Sequence, residues 1–412
     1  MTETNGRLPL SGVRIVDFAV LAAGPAAAKM LADYGAEVIC VESERSIATA
    51  GGSRQNGPPG KSPINTAWFH NKFNPGKLSV TIDLSTPQGK DVVKRLVAVS
   101  DVFIANRTLH VLQNLGLAYE TLREVRPDLI YLAMPTMGEG GPRTFYGGYS
   151  WGIQAMAGLN MISGFPDRPP ASPTPYSHPD VSCNPLQAAV AILAALRYRR
   201  RTGKGQRIEL SQYESTICWT GPAVLQYTAN GRPLPQPGNR HDAAAPHDVY
   251  RCQGDDVWCA VSVFTDDQWA RMCGVIERPD LADHPDYATL AGRKAHEENL
   301  RAIIEPWTAE RPPEEVAQSL QEAGVPSSPV NNFEQLLKRD PQLRERQVWR
   351  EVEHPELGTA LVEDWGFRLS EAPPAPARRA PLLGEHNDYV FQEVIGMDED
   401  EVNTYLVEGV FR

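Results

Sequence analysis

The sequence predicts an α/β protein in which a Rossmann-like large domain carries a smaller α+β domain. Three observations lead there: strand and helix signals alternate through the first 135 residues, a Pro, Gly, Asn and Ala-rich stretch interrupts the chain at 233–246, and a hairpin pattern follows that stretch.

The alternation opens with Val13-Arg-Ile-Val-Asp17-Phe18, a short apolar run that reads as a buried strand, then a helix over Pro25 to Tyr34 and a second strand over Glu37 to Val41. Such a βαβ unit makes a parallel pair, because two parallel strands need a crossover between them. The rhythm recurs with Lys77 to Leu84, a helix from Pro87 to Val99, and strands at Val102 to Ala105 and Leu129 to Ala133. No G-x-G-x-x-G follows the first strand, only Ala23-Gly24-Pro25, so a dinucleotide cofactor is not implied. Beyond the Pro-rich stretch, Val249 to Cys252 and Val257 to Val263 predict a hairpin through Gly254-Asp255-Asp256, with helices over Asp266 to Val275 and Gly292 to Glu305. Pro373 to Pro381 reads as a connection, and Asn387 to Ile395 as a closing helix. The expected division is a large domain over 1–225, a small α+β domain with linkers over 226–335, and a linker with a C-terminal segment over 336–412.

Composition narrows the function classes. A chain of 412 residues, 42% hydrophobic, buries real cores, and a formal net charge of −11 disfavours nucleic acid or an anionic membrane surface as partner. The longest apolar run, Leu186 to Leu196, is short of the roughly 20 residues that span a bilayer, and the polar start Met1-Thr-Glu-Thr-Asn-Gly6 has no signal-peptide pattern, so the protein is expected in the cytoplasm. Six scattered cysteines without a C-x-x-C pair fit reduced thiols better than a zinc site or disulfides, and no metal site is expected.

Asp180 is the residue that points to chemistry. It follows a Pro, Gly and Ser-rich loop over Gly164 to Pro179 and precedes Asn184-Pro185, which reads as an N-cap with proline at the first helical position. A carboxylate just before a helix start can cap it, or can attack an activated acyl group. The local sequence leaves both open.

Several collinear blocks weigh in: Leu8 to Phe18 with Ala23-Gly24-Pro25 and Leu31 to Ile39; Asn74-Pro-Gly-Lys77 through Asp83-Leu84 with Thr86-Pro87-Gln-Gly89; Asp101 to Asn106; Leu115-Gly116-Leu117; Arg201 to Gln206; and Ala380 to His386. On these the chain resembles, over nearly its whole length, the class III CoA-transferases, the family of formyl-CoA and carnitine CoA-transferases together with α-methylacyl-CoA racemase. The resemblance implies a coenzyme A thioester as substrate, no tightly bound cofactor, and Asp180 as a nucleophile that carries the acyl group and then CoA. It implies that Glu139 positions the acyl group. It also implies a CoA channel lined by Ala23, Gly24, Pro25, Lys72, Asn74, Lys77, Asn106, Arg107 and Gly138, and a ring-shaped chain that interlocks with a second copy, or with a related subunit, as a dimer.

This chain departs from the family pattern in places. The position before Ala23, glutamine in formyl-CoA transferase, is Ala22; basic residues after the second strand are replaced by Cys40, Ser43 and Glu44; and the arginine before Leu115-Gly116 is Asn114. Arg45, Arg54, Lys72, Lys77 and Arg107 are candidate replacements for the phosphate contacts, each otherwise a surface charge. The loop Gly238 to Pro246, a glycine-rich lid in formyl-CoA transferase, carries His241 and His247 instead, read as loop residues first and substrate contacts second. Tyr149, Trp151 and Tyr176 hint at a larger or aromatic acceptor acid.

The resulting expectation is a CoA-transferase that moves CoA from an acyl-CoA to a free carboxylic acid. A non-catalytic partner subunit is the alternative. The racemase branch is disfavoured because its histidine, expected near Gly147 to Trp151, has no counterpart there.

Overall fold

A computed structural model describes residues 8–43, 62–172, 178–372 and 374–411. The chain forms two compact units: Met1–Asn160, Ser172–Pro233 and Arg346–Arg412 make one, and Met161–Ala171 with Leu234–Glu345 make the other.

The first unit is built on six parallel strands: β1 (Arg14–Asp17), β2 (Glu37–Glu42), β3 (Leu78–Thr81), β4 (Val102–Ala105), β5 (Ile130–Ala133) and β6 (Gln206–Glu209). Their order is β3-β2-β1-β4-β5-β6, the doubly wound arrangement whose order reverses between β1 and β4. Side chains alternate between faces as strand geometry requires. Ile15, Val38, Val102, Ile104, Ile130 and Leu132 enter one core with Ala27, Leu31, Ala188 and Ile192. Val16, Ile39, Phe103 and Tyr131 enter the other with Val93, Leu96, Phe391 and Phe411. Both faces are therefore covered, which is why the strands read as continuous apolar runs.

The helix expected over Pro25 to Tyr34 begins two residues earlier, as Ala23–Asp33, and the one expected over Pro87 to Val99 runs Pro87–Ala98, with Thr86 capping it by accepting from the Gly89 N–H at 3.0 Å.

In the second unit β7 (His247–Arg251) and β8 (Trp258–Ser262) form the expected antiparallel hairpin, joined by β9 (Ser327–Pro329). The Asp266–Val275 helix carries a capping box from Thr265 and Gln268 and buries Trp269, Met272 and Cys273. The single helix expected over Gly292 to Glu305 is two helices, Leu290–Ala295 and Glu297–Thr308. The break lies at His296, whose backbone (φ −118°, ψ 23°) leaves the helical region, and Glu297-Glu298 open a new first turn where acidic side chains favour the start.

The chain then re-enters the first unit through an antiparallel hairpin, β10 (Trp349–His354) and β11 (Gly358–Glu363), which the sequence did not show. The closing segment reaches the β3 edge: the His386 N–H donates to Ser79 O at 3.0 Å, the Thr81 N–H to Asn387 Oδ1 at 2.9 Å, and the Asp83 N–H to Val410 O at 2.7 Å. Its expected helix is a π-helical stretch, Tyr389–Val394, followed by a helix at Glu399–Val407. Among the described residues no helix is long and apolar enough to cross a membrane.

Candidate active site

Asp180 does not stand in a loop before a helix start. It lies in a π-helical turn, Pro179–Cys183, continuous with the long Asn184–Thr202 helix. The Asn184 N–H reaches back five residues to Pro179 O, the wide hydrogen bond of a π turn. Such turns concentrate at functional sites, because the bulge re-aims side chains. Asn184-Pro185 imitated a cap and a first helical residue; instead Asn184 has helical dihedrals (φ −68°, ψ −49°) and its side chain is fully buried. Pro185, which lacks an N–H, follows directly on the π turn, where the regular i−4 ladder is already interrupted.

The turn is anchored to the sheet by side-chain amides. Asn184 Nδ2 donates to Gln212 Oε1 at 3.3 Å, and Gln212 Nε2 donates to the carbonyl of Met134, immediately after β5, at 2.7 Å. The Gln212 and Tyr213 N–H groups donate to Pro135 O and Thr136 O at 3.1 and 2.9 Å. Asp180 is thereby fixed near the carboxyl end of β5, the edge of an open α/β sheet where ligands bind. The Ala23–Asp33 helix packs against this turn and against the Asn184–Thr202 helix.

The carboxyl group of Asp180 is pushed up to about 6 by burial, while a hydrogen bond from the Ser150 side chain acts in the opposite direction. Among the described residues no cation pairs with it. Ser150 opens the Ser150–Met156 helix and is 6% exposed. No local pattern marks it, since a lone serine after Gly147-Gly148 looks like turn punctuation. Beside the turn, the rings of His178 and Trp219 meet edge to face at 6.0 Å.

The Glu139 carboxylate is ion-paired with Arg207 of β6 and its own N–H donates to Glu209, so β6 holds it at the sheet edge. Gly138, at φ +86°, cannot be replaced cheaply, since a Cβ there would come within 3.1 Å of Glu209 Oε1 and 3.2 Å of Ser211 Cβ.

Of the other expected CoA residues, Ala23, Gly24, Pro25 and Asn106 lie at the β1/β4 reversal. Ala23, Gly24 and Pro25 form the first turn of their helix. A Cβ on Gly24 would lie 2.3 Å from Ala19 Cβ, so only glycine lets the helix start press against the loop after β1. Asn106, just past β4, clamps that loop by accepting from the Val20 N–H at 2.8 Å and donating to Val20 O at 2.7 Å. Its amide is thus engaged in shaping the crevice.

Lys77 is not available to a phosphate. Its ammonium donates to Asp17 Oδ2 (2.8 Å), Pro25 O (2.8 Å) and Asn74 Oδ1 (3.0 Å), which uses all three of its protons and also occupies Asn74. Lys72 pairs with Glu363 of β11. Arg107 differs: its guanidinium lies over the Phe18 ring at 4.8 Å, burial lowers its pKa, and its Nε is buried without a hydrogen-bond partner among the described residues. Arg45, Arg54 and Tyr176 lie outside the described residues. Tyr149 and Trp151, flanking Ser150, are exposed.

In the second unit His247 Nδ1 lies 2.5 Å from Asn239 O, the His241 and His247 rings are 5.3 Å apart, and both approach Phe264. A cavity of about 450 Å3 beside them is lined by Arg240, Asp248, Glu297 and Arg301, whose charges are already paired among themselves and with Glu298.

Comparison with known proteins identifies the family. The family model described as CoA-transferase family III matches residues 10–387. The succinate–glutarate CoA-transferase of Agrobacterium fabrum is 33% identical over 95% of this chain and 96% of its own length. The probable CoA-transferase Rv1866 of Mycobacterium tuberculosis is 32% identical over 98% of this chain, which spans 50% of that relative. The crystal structure of a CAIB/BAIF family protein from Brucella suis superposes with a TM-score of 0.85 at 30% identity, covering 94% of this chain and all of that one (100%). The chain belongs to CoA-transferase family III and is a CoA-transferase.

Proposed function

We propose that this chain moves CoA from a short dicarboxylyl-CoA donor, succinyl-CoA first among them, to a free carboxylic acid through covalent intermediates on Asp180. The observation that carries the reading is the state of that carboxyl group: shielded, without a paired cation among the described residues, and titrating near 6, so that it is an anion at neutral pH yet more basic than a solvated aspartate. The donor class follows the succinate and glutarate in the name of the Agrobacterium relative.

A carboxylate oxygen of Asp180 attacks the donor carbonyl; the C–S bond breaks, CoA leaves as thiolate and a mixed anhydride remains. The thiolate attacks the aspartyl carbonyl, expelling the donor acid as its carboxylate and leaving an aspartyl–CoA thioester. The acceptor carboxylate attacks that thioester, CoA thiolate departs again, and attack of the thiolate on the acceptor's carbonyl completes the new acyl-CoA and frees Asp180. Every step is an acyl transfer, so the cycle calls for no metal or redox group.

The crevice at the β1/β4 reversal, with Ala23-Gly24-Pro25 on its rim and Arg107 beside it, is the proposed seat of the nucleotide part of CoA. Arg107 is the strongest candidate for a phosphate contact, because its guanidinium has an unpartnered Nε. Six free cysteines suit a reducing, cytoplasmic setting.

Assembly as an interlocked dimer, with a second copy or a related subunit, is part of the same proposal. Its support is the Gly221–Asn230 helix, an apolar segment with no buried residue, where Val224, Leu225 and Tyr227 are exposed, together with the exposed stripe Leu186, Val190 and Leu193 of the Asn184–Thr202 helix. The test of function is a CoA-transfer assay on Asp180→Ala: turnover should fall at least about 1000-fold with the melting profile retained. Near-normal turnover would reject Asp180 as the nucleophile.

A further inference from the structure

We propose that the first unit carries a second binding site, where the chain enters and leaves the β10–β11 hairpin, and that this site takes an adenine nucleotide. It stands independently of Asp180.

The site is a cavity of about 300 Å3 whose lining includes Arg346, Arg350, Asp364, Trp365, Phe367 and Arg368. Three arginines against one aspartate make it locally cationic, on a chain whose formal net charge is −11. The hairpin register explains the gathering: Arg350 pairs with Val362 across the strands, which sets Asp364, two residues on, diagonally beside it on the same face. The two are ion-paired, and the Asp364 N–H extends the ladder by donating to Val348 O at 2.9 Å. That ion pair engages one Nη of Arg350 and leaves its Nε buried with no hydrogen-bond partner among the described residues. A donor shut from water costs free energy until an acceptor reaches it. Arg368 donates to the carbonyl of Arg346, which holds those two residues side by side, and both are exposed.

The aromatic wall is equally fixed. Trp365 donates through Nε1 to Asp33 Oδ2 at 2.6 Å, with Lys29 over its ring at 5.1 Å. Phe367 lies parallel to Tyr34, with ring centroids 5.1 Å apart and 6° between the planes. Tyr34 is buried whereas Phe367 is 55% exposed, so one face of the Phe367 ring is backed by protein and the ring is held ready for a second planar group.

Guanidinium forks beside a preset aromatic face fit a ligand that joins a phosphate to a planar base. A dicarboxylate supplies the charge but nothing to stack. The volume suits one small molecule, not a polymer.

Its place in the fold separates this site from the crevice proposed for CoA. Asp33 and Tyr34 stand at the C-terminal end of the helix whose first turn, Ala23-Gly24-Pro25, forms the crevice rim, and its 11 residues put about 16 Å between the two ends. The nucleotide bound here is therefore not the one held in the crevice. Free ADP and the 3′-phosphorylated nucleotide of a second CoA share the required chemistry.

Photolabelling of the full chain with 8-azido-ADP, followed by peptide mass spectrometry, locates the site without any substitution. The label is expected on residues 346–369, with ADP and 3′,5′-ADP competing for it and adenosine or inorganic phosphate competing at least about 10-fold less well, because each engages only half of the site. Stronger competition by ADP identifies free nucleotide as the occupant; stronger competition by 3′,5′-ADP identifies a second CoA. The probe concentration that half-saturates this label should rise at least about 10-fold in Arg346→Ala/Arg368→Ala and about 5- to 100-fold in Phe367→Ala, and stay as in wild type in Arg107→Ala. CoA-transfer turnover without added nucleotide should be unchanged in the double arginine variant. Absence of label, label confined to peptides of the CoA crevice, or equal half-saturation in the folded arginine variant would overturn the proposal.

Discussion

The ammonium of Lys77 lies 2.8 Å from a carboxylate oxygen of Asp17, and both side chains are shielded from water, at 0% and 1% exposure. A cation that matches a substrate-binding block in sequence is here a strut that ties the end of β1 to the first turn of the following helix.

Removing one partner of such a pair strands the other as a buried charge. Lys77→Met is expected to lose about 3–5 kcal/mol of stability, and the double variant Asp17→Leu/Lys77→Met to recover much of it. Urea denaturation of the three proteins checks this. A Lys77→Met protein of unchanged stability with a raised KM for acyl-CoA would return Lys77 to the substrate site.

The pH dependence follows from Asp180. Attack needs the carboxylate, so kcat/KM should rise with pH and level off above about 6. Stability should run the other way. A carboxyl group whose folded pKa exceeds its unfolded value binds more protons when folded, so its contribution falls as pH rises from about 4 to about 6. Asp180→Asn should therefore inactivate the enzyme and stabilise it by about 1–3 kcal/mol at pH 7, with the difference vanishing near pH 4. Thermal denaturation across that range, compared with wild type, measures it.

Two charges placed on the exposed apolar helix test assembly. Val224→Asp with Leu225→Asp should prevent dimer formation and yield aggregated or proteolysed chain, because a threaded interface cannot part without local unfolding. A wild-type chain that sediments as a folded, active monomer at nanomolar concentration would refute the dimer.

Ser150 stands in the segment where a racemase would need a base, and a hydroxyl does not remove an α-proton. Incubation of a 2-methylacyl-CoA in D2O should show thioester exchange without deuterium at the α-carbon. Wash-in at a comparable rate would move the chain to the racemase branch.

Much of the fold was legible because strands buried on both faces, such as Val102–Ala105 and Ile130–Ala133, show as apolar runs between turn residues. β6, Gln-Arg-Ile-Glu at the sheet edge, has only one apolar side chain, and it emerged from pairing with β5. The order of the sheet depends on long-range pairing that no local pattern encodes. At the site, Asp180 was legible through the blocks around it, whereas its π turn was not, since Asn184-Pro185 carries the signature of an ordinary helix start. The relay that fixes the π turn of Asp180 against β5 joins Asn184, Gln212 and Met134, which are far apart in sequence and meet only in the fold.

The central claim is that Asp180 carries the acyl group and then CoA. Intact-mass and peptide mass spectrometry after incubation with acetyl-, succinyl- and glutaryl-CoA tests it most directly. The account predicts a CoA-sized adduct with at least one of these donors, on the peptide containing Asp180, absent in Asp180→Ala and discharged by a free carboxylic acid. Turnover with no adduct on any residue, or an adduct that survives in Asp180→Ala, would contradict it.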